Sequence, residues 1–131
     1  MSAVTPERKK LKRAQLIQRV RTVERMQSAA AASEAEATRT RLSGVAERTR
    51  TLAAHYAQRA DDMVGADLRS GKTMRDQLQK LSEVSSRQAE EAELQSQTRR
   101  EAFAQSDMRL RKAQEGTREL VRSIVAGLEK G

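Results

Sequence analysis

Residues 65–73, with the sequence GADLRSGKT, contain the residue types that most closely suggest a chemical site in this chain. The segment ends in Gly71, Lys72 and Thr73, and in a phosphate-binding loop these residue types surround the phosphates and a magnesium ion. Five residues separate Gly65 from Gly71, whereas the phosphate-loop pattern needs four, and no β-strand pattern precedes the segment. We therefore predict that the segment is a turn and not a nucleotide site.

The remaining candidates for chemistry are a single histidine, His55, and many scattered serines. No cysteine or second imidazole accompanies His55, and the carboxylates lack metal-ligand spacing, so the sequence predicts a surface histidine and no metal site. Serine catalysis needs a base and an orienting third group in a preorganised site, which the pattern does not provide. We predict no catalytic residue, no cofactor, no small-molecule substrate and no enzymatic activity.

The composition favours long helices. Tyr56 and Phe103 are the only aromatic residues, Trp is absent, and the single proline, Pro6, lies near the start of the chain. The rest is dominated by Ala, Arg, Glu, Gln, Leu and Lys, which are strong helix formers. The sequence therefore predicts an all-α protein without the bulky core of a compact globular domain.

Two helices and one turn account for the pattern along the chain. Thr5, Pro6 and Glu7 have the residue types of a capped helix start. We predict helix one over about residues 6–64, a turn over about 65–72 and helix two over about 73–129. The predicted fold is a long two-helix antiparallel coiled-coil hairpin that forms a single domain over residues 1–131.

Apolar and small residues recur in alternating steps of three and four, the spacing of a helix-packing seam. The predicted seam of helix one is Leu16, Val20, Val23, Gln27 and Ala30, followed after a phase shift by Leu42, Val45, Thr49, Leu52, Tyr56, Arg59 and Met63. The predicted seam of helix two is Met74, Leu78, Leu81, Ser85, Gln88 and Ala92, followed after a second shift by Phe103, Ser106, Leu110, Ala113, Thr117, Leu120 and Ile124. A hairpin would place Leu16 and Val20 opposite Leu120 and Ile124.

The net charge is +8, and residues 1–25 carry eight basic side chains against two acidic ones. Such charge permits binding to nucleic acid, anionic lipid or an acidic protein surface. Apolar residues interrupt the basic helix and no base-reading pattern is present, which disfavours sequence-specific DNA recognition. A solvated basic face and docking on an acidic protein both remain open. The sequence has no cysteine and so gives no reason to expect an oxidising compartment, and we expect a cytoplasmic protein. No apolar run has the length of a membrane span, so we expect the protein to be soluble or at most peripheral to a membrane.

The basic helix start at residues 8–25, the two seams and the returning segment of residues 109–122, RLRKAQEGTRELVR, together resemble the FliJ family of flagellar type III export proteins and its virulence-secretion counterparts. The resemblance covers nearly the whole chain. It implies a stalk that docks in a hexameric export ATPase and contacts the export gate, peripheral to the inner face of the cell membrane. It also implies that Arg13, Arg21, Arg118 and Arg122 meet acidic side chains of the ATPase.

Two other functions fit the same sequence. A coiled-coil adaptor of another bacterial assembly needs only the helical hairpin, and a basic coiled coil associated with nucleic acid needs only the charge. The heptads also permit closure against a second copy in place of the fold-back.

Overall fold

The computed structural model describes residues 5–60 and 66–130. It contains two long helices that pack against each other, α1 over Pro6–Ala60 and α2 over Ala66–Lys130, and no strand occurs within the described ranges. The predicted all-α helical hairpin is therefore confirmed.

The start of α1 follows from its first residues. The Oγ1 of Thr5 accepts a hydrogen bond from the backbone N–H of Arg8 at 3.4 Å, and the Thr5 carbonyl accepts one from the N–H of Lys9 at 3.2 Å. Pro6 occupies the first helical position, where its missing N–H costs no hydrogen bond. Glu7 complements the positive end of the helix dipole in the first turn.

The second helix begins earlier than the sequence predicts. Residues 66–72 belong to α2 and not to a turn, so Gly71, Lys72 and Thr73 lie within a helix. A single helical glycine costs only about 1 kcal/mol relative to alanine, which the surrounding helix formers can offset. The predicted end of helix one at residue 64 and the first turn residue, Gly65, lie outside the described residues.

The covered face of α1 is a seam of residues in unbroken alternating steps of three and four. Its members are buried or half-buried: Leu11, Ala14, Gln18, Arg21, Arg25, Ser28, Ala32, Ala35, Arg39, Leu42, Ala46, Thr49, Ala53 and Tyr56. No phase shift interrupts the steps. Most of these residues are small or polar, which indicates that close approach of the helices, and not the size of the apolar side chains, selects the packed face.

The seam of α2 has the same unbroken spacing. Its covered members are Gly71, Arg75, Leu78, Ser82, Ser85, Ala89, Ala92, Ser96, Phe103, Ser106, Leu110, Ala113, Thr117, Leu120 and Ile124, and the exposed Arg99 fills the remaining step. The predicted phase shift in helix two is wrong because Ser82, Ala89 and Ser96 carry the seam through the polar centre of the helix. From Phe103 to Ile124 the predicted seam is confirmed.

Several residues of the predicted seams are exposed. Leu16, Val20 and Val23 are 59%, 55% and 52% exposed, so the predicted packing of Leu16 and Val20 against α2 is wrong. Four further large apolar residues of the predicted seams are also exposed: Val45, Leu52, Met74 and Leu81. The sequence pattern identified the helices correctly but placed much of the seam on a neighbouring face.

Contacts divide the single predicted domain into two compact units, each with a segment of both helices. The terminal unit comprises Met1–Ala32 and Arg99–Gly131, and the central unit comprises Ser33–Thr98. The buried apolar residues in the described part are three alanines and a leucine, Ala46, Ala53, Ala92 and Leu110.

Candidate docking surface of the terminal unit

The net charge of the protein lies in the terminal unit. This unit carries 16 Lys and Arg against 7 Asp and Glu, a net charge of +9, whereas the central unit carries 10 against 11, a net charge of −1. Charge of one sign concentrated on one part of a molecule attracts partners of opposite sign and accelerates their encounter.

The four predicted arginines all belong to this unit, but they differ in accessibility. Arg13, Arg118 and Arg122 are exposed. Arg21 occupies a seam position, where its side chain is half-buried and its Nη1 donates to Glu24 Oε2 at 2.9 Å. Arg21 is therefore already engaged within its own helix, and the other three offer charge to a partner.

An exposed apolar stripe on α1 begins at one of these arginines. Arg13, Leu16, Val20 and Val23 follow one another in steps of three, four and three, and all four side chains are exposed. This is the spacing of a face that packs against another helix. The sequence predicted the spacing of Leu16, Val20 and Val23 correctly, but the prediction that these residues pack against α2 is wrong.

A second stripe with the same spacing lies on α2. Arg118, Val121, Val125 and Leu128 follow one another in steps of three, four and three, and each is exposed. This stripe was not predicted, because the seam of Thr117, Leu120 and Ile124 runs beside it with the same period. The terminal unit thus presents two apolar stripes, each headed by an exposed arginine.

In the same unit, Arg25 is held between an aromatic ring and a carboxylate of α2. Its guanidinium carbon lies 5.2 Å from the centroid of the Phe103 ring, and its Nε donates to Asp107 Oδ1 at 2.7 Å. Arg111 contacts the other carboxylate oxygen of Asp107 at 3.0 Å. The hydrogen bond from Arg25 lowers the pKa of the Asp107 carboxyl, and the charge of Arg111 acts in the same direction.

The hydroxyls of Ser28 and Ser106 share a hydrogen bond of 2.8 Å across the same unit, and Ser106 Oγ also lies 3.0 Å from the Ala102 carbonyl oxygen. Together with Arg25, this pair sets the register of the two helices with polar contacts. The predicted seam included Phe103 and Ser106, but nothing in the spacing of α1 pointed to Arg25 and Ser28 as their partners.

The central unit is joined by a different polar cluster. Ser96, which is fully buried, donates its hydroxyl hydrogen to Glu36 Oε2 at 2.9 Å. Glu36 also accepts hydrogen bonds from Arg39, whose guanidinium lies 3.5 Å from Glu93 Oε2. The hydrogen bond to Glu36 raises the pKa of Arg39.

Grooves between the helices are lined by small, polar and charged side chains, and one groove of about 720 Å³ lies in the central unit beside Ala53, Ala57 and Ser82. Within residues 5–60 and 66–130, no three His, Asp or Glu side chains are placed to hold a metal ion. His55 is exposed, with its ring 6.1 Å from that of Tyr56.

Neither described helix contains an apolar stretch that would cross a lipid bilayer. Comparison of the chain with models of protein families, with curated proteins and with solved structures gave no match.

Proposed function

We propose that this chain is a non-enzymatic component of a flagellar or related type III export apparatus. In this role the helical hairpin is a stalk that docks on the export ATPase through its terminal unit and couples the ATPase to the export gate. The resemblance of residues 8–25 and 109–122 to the FliJ family suggests the apparatus. The observation that supports the docking end is the pair of exposed, arginine-headed stripes on a unit of net charge +9.

The chemistry of the stripes fits a partner surface with acidic side chains around an apolar groove. Arg13, Arg118 and Arg122 would attract such a surface over about 8 Å, the screening length at physiological salt. The apolar stripes would then pack into the groove as a helix does in helix-in-groove recognition. The exposed arginines and the apolar stripes both lie in the terminal unit. This unit would therefore bind the ATPase, and the central unit would remain available to other contacts.

The test is the affinity of the purified chain for its export ATPase. Reversing three exposed arginines of the terminal unit (Arg13→Glu, Arg118→Glu, Arg122→Glu) should weaken binding by about a hundredfold. The matched control reverses three exposed arginines of the central unit: Arg48→Glu, Arg59→Glu and Arg69→Glu. The control should change the affinity by less than about threefold, because its charges lie outside the proposed contact.

A second variant measures the contribution of the apolar stripe on α1 to binding separately from that of the arginines. Leu16→Gln with Val20→Gln should also weaken binding, while the free energy of unfolding changes by less than about 0.5 kcal/mol because both side chains are exposed. Unchanged ATPase binding in both terminal-unit variants would reject the docking surface. If the wild-type chain captures no ATPase and instead binds DNA with micromolar affinity at physiological salt, the export function itself is rejected in favour of the nucleic-acid alternative.

A further inference from the structure

Four of the six large apolar side chains that are exposed in the described part of the central unit repeat at one position relative to the seam. Val45, Leu52, Met74 and Leu81 are 37%, 48%, 43% and 50% exposed. Each lies one residue before a seam residue, and the two on each helix are seven residues apart. They therefore repeat on each helix with the heptad period.

Grooves of the structure show which side of the seam such positions occupy. In the terminal unit, residues that precede seam residues on both helices line a common groove, which contains Glu24, Ala102 and Arg109. In the central unit, residues that follow seam residues on both helices line the large groove, which contains Arg50, Ala57, Gln79 and Ser86. Because consecutive residues of a helix are about 100° apart around its axis, the positions before and after the seam of the central unit lie on opposite sides of the helix pair.

The side of the central unit opposite this groove therefore carries four exposed apolar residues: Val45, Leu52, Met74 and Leu81. We call these four residues the apolar flank. An apolar group of this kind, drawn from both helices and repeating with the heptad period, has the form of a helix-packing face and differs from single apolar residues scattered on a surface.

We propose that the apolar flank joins the central units of two copies of this chain in a symmetric dimer. A two-fold contact needs a surface that is complementary to itself, and an apolar flank meets that condition. The central unit has a net charge of −1, so two copies experience little repulsion. The terminal unit, at +9, would repel a second terminal unit, which excludes its stripes as the equivalent contact.

The exposed area is sufficient for a dimer at the lower limit of stability. Half-exposed Val, Leu and Met side chains each show roughly 60–90 Å² of apolar surface, so the flank contributes about 600 Å² from two copies. Since about 60% of an interface is apolar, the complete contact would bury about 1,000 Å², the least that a specific interface usually needs. We therefore expect a dissociation constant in the range of about 10–100 µM.

The test measures oligomeric state with the full chain by sedimentation velocity, between about 1 and 500 µM, a range chosen to bracket this constant. The wild-type chain should pass from monomer to dimer. The double variant Leu52→Glu, Leu81→Glu should weaken dimerisation at least tenfold. Leu94→Glu is the matched control, because Leu94 belongs to the same unit and is 63% exposed but lies off the flank; it should change the constant by less than twofold.

Circular dichroism of each variant establishes that its helix content is retained. If the glutamates unfold the chain, Leu52→Gln with Leu81→Gln gives the same comparison without added charge. A monomer at every concentration, or equal loss of the dimer in the Leu94→Glu control, would overturn the proposal.

The inference is independent of the proposed export role. The Leu52→Glu, Leu81→Glu variant should bind the export ATPase as the wild-type chain does. Loss of ATPase binding in this variant would contradict the separation of the two surfaces.

Discussion

The two units are built from the same two helices, but the helices pack through different residues in each unit. Among the described residues, the buried side chains of the central unit are Ala46, Thr49, Ala53, Ser85, Ala92 and Ser96, whereas those of the terminal unit are Ser106 and Leu110. The central unit is nearly neutral and packs through small residues, and the terminal unit is strongly basic and leaves nine large apolar residues exposed. The central unit is therefore the more closely packed of the two, and the terminal unit leaves more large apolar side chains in contact with water.

The largest expected effect tests the difference in packing directly. Ser96→Leu, in the central unit, should lower the free energy of unfolding by about 3 kcal/mol, because a fully buried site gains volume and Glu36 loses a hydrogen bond. Ser106→Leu changes a seam residue of α2 in the terminal unit and should lower the free energy of unfolding by less than Ser96→Leu does. Both values are measured by urea denaturation monitored by circular dichroism.

Thr98→Leu serves as the control for this pair, because Thr98 is exposed in the central unit and should change stability by less than about 0.5 kcal/mol. Equal costs for Ser96→Leu and Ser106→Leu would remove the proposed difference in packing between the units.

A smaller effect should be the same in both units. Gly44 in the central unit and Gly116 in the terminal unit are helical, and a Cβ added at either meets no atom within 4 Å. Gly44→Ala and Gly116→Ala should each raise the free energy of unfolding by about 0.8–1 kcal/mol, the intrinsic difference in helix propensity. Thermal denaturation of each variant checks this. A gain confined to one unit would indicate that tertiary packing, and not helix propensity, controls these sites.

A smaller pH effect should originate in the terminal unit. The pKa of Asp107 is lowered by its hydrogen bond with Arg25, so folding favours the ionised carboxylate. The stabilisation is present above the unfolded value of about 3.9 and is lost as the pH falls through the lower folded value. The midpoint of thermal unfolding should therefore fall with acidification below about pH 4.

Asp107→Asn isolates this effect, since the amide does not ionise. The variant should lose part of the acid dependence, as measured by the difference between its thermal midpoint and that of the wild-type chain over the same pH range. An unaltered difference at every pH would show that the contact of Arg25 with Asp107 does not contribute to acid stability.

Much of the fold could be predicted from local signals. Thr5, Pro6 and Glu7 predicted the start of α1 to the residue, because helix capping depends only on neighbouring atoms. The start of α2 was predicted about seven residues too late, because Ser70 and Gly71 are typical of turns and helix ends yet lie within α2. The predicted arginines were placed in one unit by the fold-back, but the half-buried, paired state of Arg21 was not visible in the sequence.

The sequence by itself determined that this protein is a pair of helices with its charge towards the chain ends, because helix propensity and charge are properties of single residues and near neighbours. Only the tertiary structure decided which face of each helix is packed. Ala, Ser, Thr and Leu recur on several faces with the same period, so spacing alone does not distinguish them. The choice depends on how closely two backbones approach, and contacts such as Ser28 with Ser106 and Glu36 with Ser96 join residues far apart in the chain. The packing of these small residues leaves Leu16, Val20, Leu52 and Leu81 in contact with water, available to a partner.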